Sequence, residues 1–175
     1  MDPFATLGLE PRFDLDASLL EERHRELSRV LHPDKHVGSA ASERRMALSR
    51  AIEVNEAFRI LRDPVRRAEK LFEQQGIPTG EASQSKAPPA LLMEMMEARE
   101  ELAEAARDKK LERVVALGAA MQKREGALVD KLAQAFAAAG SDKQKLAEAE
   151  SILGELRYAK RYLDEVAAFE EALTE

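Results

Sequence analysis

The sequence predicts an all-α protein: an antiparallel helical hairpin with short helices at both ends, followed by an antiparallel three-helix bundle. Three observations carry this reading. Ala, Leu, Glu, Lys and Arg dominate, while aromatic residues make up 5% of the chain and Trp is absent, a mixture that favours helices. Apolar residues recur at i, i+4, i+7 and i+11 rather than alternately, as in helices that bury one face. Pro and Gly then punctuate the stripes where helices start and stop. At 175 residues the chain can hold one ordinary domain or two small ones.

Asp2-Pro3 reads as an N-cap and first-turn proline, opening a short helix that ends near Gly8. A second helix runs from an N-cap at Asp16 to Leu31, with Leu20, His24, Leu27 and Leu31 on its inner stripe. On that stripe His24 is a core or boundary histidine. The third helix spans Ser42 to Arg62, with Leu48, Ile52, Asn55, Phe58 and Leu61 facing inward and Asn55 satisfying buried backbone groups. Asp63-Pro64 ends it and starts a fourth helix, because proline cannot continue the ladder but suits a first turn. That helix carries Ala68, Leu71 and Phe72 inward and stops at Gly76, a natural left-handed cap.

The least periodic stretch, GIPTGEASQSKAPP from Gly76 to Pro89, marks a connection. The expected organisation is a first domain over 1–76, a linker over 77–89 and a second domain over 90–175. In the second domain Leu91, Met95, Ala98 and Leu102 stripe the first helix. Leu111, Val114, Gly118, Met121, Leu128, Leu132 and Phe136 mark the next, which Gly140 closes. Ser141 or Asp142 caps the last helix, whose inner face holds Leu146, Ile152, Leu153, Leu156, Leu163 and Val166. A three-helix bundle buries all three stripes.

A formal net charge of −6 argues against a nucleic-acid partner, which demands a basic footprint. With no Cys, thiolate metal sites, disulfides and Cys nucleophiles are excluded. The N-terminus lacks the basic start and apolar run of a signal peptide, and no stretch approaches the roughly 20 apolar residues of a membrane helix. A soluble, cytoplasmic protein with no membrane partner is expected.

Chemistry concentrates in the loop His32 to Ala41. Arg25, Arg29 and His32 share one side of the second helix, away from Leu20, Leu27 and Leu31, and Lys35 and His36 extend the patch. It suits an acidic partner surface. Alone, it also fits a solvated face balanced by Glu21, Glu22 and Glu26. His32 and Asp34 could be imagined as a general base with its orienting carboxylate, but no nucleophile, oxyanion-hole signal or glycine-rich phosphate loop accompanies them. His32, Asp34 and His36 offer no compelling metal-ligand spacing. No catalytic residue, metal ligand or cofactor is therefore assigned. In the second domain, Leu92, Met93, Met96 and Ala103 form a second apolar side, interspersed with Glu97, Arg99 and Glu100. Such a helix serves either as a wedge between neighbours or as a binding face.

The conjunction of Leu7-Gly8-Leu9, His32-Pro33-Asp34-Lys35, Asn55-Glu56-Ala57-Phe58 and Asp63-Pro64 with Arg67-Ala68-Glu69 resembles the DnaJ-type J-domain family over about Met1 to Gly76. The resemblance implies docking on a DnaK-type ATPase chaperone and stimulation of its ATP hydrolysis. His32, Pro33, Asp34 and Lys35 would signal, with Arg25 and Arg29 docking from the helix. Asp2-Pro3-Phe4, Arg67-Ala68-Glu69-Lys70-Leu71 and Leu91-Leu92-Met93-Glu94…Glu97…Arg99-Glu100-Glu101-Leu102 extend the similarity to the HscB family across nearly the whole chain. These are J-type co-chaperones of bacterial iron–sulfur cluster assembly. That implies a C-terminal domain that binds the scaffold IscU and delivers it to the chaperone HscA. Leu92, Met93, Met96, Glu97, Arg99, Glu100 and Tyr158 would then face the scaffold. Lys70 stands where the family often has an aromatic residue, and Met96 replaces a more usual Leu. The Cys-rich N-terminal module of animal relatives has no counterpart.

Overall fold

The computed structural model describes residues 1–79, 89–140 and 142–174, and among them there is no strand. Most of the expected linker, and Ser141 as a cap, lie outside the described residues. The chain divides into two compact units, Met1–Gln74 and Gln75–Glu175.

In the first unit α1 (Pro3–Leu7), α2 (Ala17–Val30), a 3₁₀ turn η1 (Pro33–His36), α3 (Ala41–Arg62) and α4 (Pro64–Gln74) follow in order. Asp2 accepts from the amides of Phe4 and Ala5 at 3.0 and 3.4 Å, and Gly8 closes α1 at φ 65°. Asp16 caps α2 through the amides of Ser18 and Leu19 at 2.8 and 3.3 Å. Asp63 caps α4 in the same way through Val65 and Arg66, so the sharp α3–α4 junction is encoded by two residues, Asp63 and Pro64. Phe4, Leu7, Phe13, Leu20, Ala57, Leu61, Ala68 and Phe72 form the buried centre.

The expected inner face of α3 is wrong in its rotation. Leu48 and Ile52 are 58% and 61% exposed, and the buried positions are Ala47, Val54, Ala57 and Leu61. A face of mostly small residues lets α1 and α2 approach α3 closely, which leaves the larger side chains outside. Asn55 is exposed too; it bonds His24 Nε2 at 2.9 Å rather than buried backbone. His24 is half-buried and stacks on Phe58 with ring centroids 4.1 Å apart, a boundary histidine. Arg67 lies over the Phe13 ring at 4.9 Å and donates to the Leu61 carbonyl at 2.9 Å. Burial pulls its guanidinium pKa down, against the opposing pull of Asp14 and Asp63.

The second unit contains α5 (Pro89–Arg107), α6 (Leu111–Ala139), α7 (Lys143–Glu148) and α8 (Glu150–Thr174). The expected third helix is thus two pieces: Asp142 caps α7, and a turn at Ala149 leads into α8. The three long helices make the antiparallel bundle, its core built from Leu102, Val114, Met121, Leu128, Leu132, Leu153, Leu156 and Val166. Arg124 on α6 bridges Glu94 of α5 at 2.5 Å and Glu155 of α8 at 3.5 Å, tying all three helices together. The hydrogen bond from Arg124 holds the Glu94 carboxyl below its ordinary range and, reciprocally, raises Arg124.

Candidate functional site

Two surfaces merit attention, one in each unit. In the first, α2 ends at Leu31 and the chain turns through His32, whose φ of −62° and ψ of 134° are the extended geometry that a following proline imposes. The Asp34 amide donates to His32 Nδ1 at 3.3 Å, so His32 caps the turn that Pro33 begins. This bond requires an unprotonated Nδ1 and places the neutral ring's proton on Nε2. The Asp34 carboxylate lies 3.5 Å from the same nitrogen but makes no bond to it while Nδ1 is unprotonated, so the capping rests on the Asp34 amide. His32-Pro33-Asp34 is therefore one self-capped unit, with a local structural role for His32 that the sequence reading did not assign.

His36 reaches back from η1, its Nε2 3.2 Å from the Val30 carbonyl, which seals the open end of α2. Arg44 donates to the Ser39 carbonyl at 2.6 Å and fixes the far end of the loop. The His32, Pro33, Asp34 and Lys35 side chains remain exposed on this anchored frame.

Arg25 and Arg29 are exposed one turn apart on α2. The nearby acids do not neutralise them: Glu26 pairs with Arg23 at 3.3 Å, and among the described residues no carboxylate lies within ion-pair distance of Arg25, Arg29 or Lys35. The result is a positive stripe continuous with the loop.

In the second unit, Leu92, Met93 and Met96 on α5 are 49%, 63% and 71% exposed, while Leu102 and Ala105 bury the opposite side. Glu97, Arg99 and Glu100 are exposed beside them. Tyr158 joins this face from α8, but its hydroxyl donates to the Met95 carbonyl at 2.7 Å, so the ring alone is on offer. Arg99 is held by Glu165 of α8 in a two-pronged contact of 2.5 and 3.3 Å. Sequence reasoning missed Glu165, which lies 66 positions from Arg99. It also missed Arg124, whose bridging role has no local signature.

Among the described residues no group of three or more His, Asp or Glu could hold a metal ion, and no helix is long and apolar enough to cross a membrane.

Comparison with known proteins places the chain in a family. Residues 2–70 match the DnaJ domain, and residues 87–167 match the family described as the HSCB C-terminal oligomerisation domain. A co-chaperone protein HscB homolog of Vibrio vulnificus is 40% identical over 104 residues, 59% of this chain and 61% of that protein, so the matched stretch spans less than two thirds of that relative. The homolog of Pasteurella multocida is 34% identical over 178 residues, covering 99% of this chain and 98% of that protein. The solved structure of chaperone HscB from Vibrio cholerae aligns with a TM-score of 0.82 and 30% identity over 99% of both chains. With its N-terminal J domain and its C-terminal helical bundle, the chain belongs to the HscB family of J-domain co-chaperones.

Proposed function

We propose that the chain activates the DnaK-type ATPase chaperone HscA and delivers to it the iron–sulfur scaffold IscU, assisting cluster transfer in the cytoplasm. The observation that carries the first half is the positive stripe of Arg25 and Arg29, without a carboxylate in ion-pair distance among the described residues, leading into the self-capped loop. Arg25, Arg29 and Lys35 steer and orient the encounter with an acidic surface. His32, Pro33 and Asp34 then bias the ATP-bound chaperone toward its hydrolysis-competent state. They do so by differential binding, supplying no catalytic atom.

The second half rests on the α5 face. Leu92, Met93 and Met96 supply adaptable apolar contact, Glu97, Arg99 and Glu100 a polar border, and Tyr158 a ring edge. Residues 77–89 would link the activating domain, 1–76, to the scaffold-binding domain, 90–175.

Single-turnover ATP hydrolysis by HscA, with and without this protein and IscU, tests the reading. Stimulation is expected, and His32→Gln or Asp34→Asn should remove it while leaving the helical circular dichroism intact. Stimulation unaltered in both variants would sink the proposal.

A further inference from the structure

The exposed face of α5 is flanked by a stripe on α8, of which Tyr158, Glu165 and Phe169 are half-buried while Tyr162 is buried. Leu92, Met96, Arg99 and Ala103 stand at i, i+4, i+7 and i+11, and Tyr158, Tyr162, Glu165 and Phe169 repeat that spacing. The helices run parallel and in step: Tyr158 bonds Met95, Tyr162 bonds Ala98 at 3.3 Å, and Arg99 grips Glu165. Beside that ion pair lies an open cavity of about 440 Å³, lined by Met96, Arg99, Glu100, Ala103, Glu165 and Phe169. Met96, Ala103 and Phe169 give it apolar walls.

We propose that Glu165 and Phe169 of α8 complete the docking face begun by α5, and that its occupant is a protein surface with an apolar centre bordered by Lys or Arg. This rests on the reading of the α5 face as the IscU-binding surface and adds to it two residues and a charge. A cavity of this size takes a large apolar side chain, which Phe169 would contact from the side that α5 cannot reach. The charge follows from the ion pair. Glu165 satisfies Arg99 with both oxygens, so Arg99 does not neutralise its helix neighbours. Among the described residues no cation lies within ion-pair distance of Glu97 or Glu100. Even with Arg161 of α8, which lines the neighbouring pocket beside Glu165, the border sets Glu97, Glu100 and Glu165 against Arg99 and Arg161 and is net acidic, so complementarity selects a basic rim on the partner.

Calorimetric titration of the full chain with IscU tests this. Phe169→Ala should weaken binding by about tenfold, as truncation of an interface anchor does. Ala103→Lys, at an exposed helical position where the fold tolerates a charge, should weaken it comparably, because the ammonium faces a basic rim. Wild-type affinity should fall as salt rises, and Glu97→Gln/Glu100→Gln should flatten that dependence. Unchanged affinity in Phe169→Ala and Ala103→Lys, or a wild-type affinity indifferent to salt, would overturn the inference while leaving the IscU reading standing. A wild-type chain that does not bind IscU at all overturns both. If light scattering shows self-association that Ala103→Lys abolishes while IscU affinity is untouched, the occupant is a second copy and the proposal is wrong.

Discussion

Gly118 on α6 faces Val166 on α8 so closely that a methyl group on its Cα would lie 2.8 Å from Val166 Cγ1. Gly118→Ala should therefore destabilise the second unit by about 1–3 kcal/mol through overpacking, although alanine is the better helix former. Urea unfolding gives the measurement. Adding Val166→Ala to Gly118→Ala should recover part of the loss, because it removes the atom that clashes; an additive double mutant would contradict the contact.

In the proposed function Arg25 and Arg29 act on encounter rather than on folding. The double variant Arg25→Glu/Arg29→Glu should change stability by no more than about 0.5 kcal/mol, since both side chains are exposed and form no ion pair among the described residues. Its association rate with HscA, followed by stopped flow at low salt, should fall by about tenfold or more. The deficit should shrink as salt screens the wild-type advantage.

Removing the apolar side chains of α5 should separate the two proposed activities. A Leu92→Ala/Met93→Ala/Met96→Ala variant should keep its melting temperature, because all three side chains project into solvent. It should lose about 2 kcal/mol or more of IscU affinity while still stimulating HscA in the absence of IscU.

The buried tyrosines predict an alkaline weakness. Burial, with Tyr158 and Glu101 nearby, pushes the Tyr162 phenol up to about 12 from an ordinary 10.0. Burial also raises Tyr158. The unfolded chain thus releases these protons first, so this stabilisation is intact below pH 10 and drains away as pH climbs toward 12. Absorbance titration of the phenolates should show Tyr162 ionising late, and Tyr162→Phe should flatten the fall in stability between those limits.

Helix starts and stops were legible because they depend on local chemistry. Asp2, Asp16, Asp63 and Asp142 each cap the helix that the sequence predicts after them. The buried faces of α4 and α6 also follow from spacing, since large apolar residues there point one way. On α3 the same logic failed. Hydrophobic spacing favours Leu48 and Ile52, but close approach favours Ala47, Val54 and Ala57, and helix contact selected the smaller set. Of the α5 docking face, the α5 half could be read from one helix. Glu165 and Phe169 could not, because their relation to Arg99 and Met96 exists only once α5 and α8 lie parallel.

The paired hydroxyl contacts of Tyr158 and Tyr162 to α5 bear on the thermodynamics of docking. Two rungs one turn apart, at Met95 and Ala98, prevent α5 from rolling or sliding along α8 unless both break. The ridge proposed for recognition is thereby preorganised, and little conformational entropy remains for a partner to quench on arrival. Its association should proceed in one step at a rate set by collision and charge, with no slow rearrangement following contact.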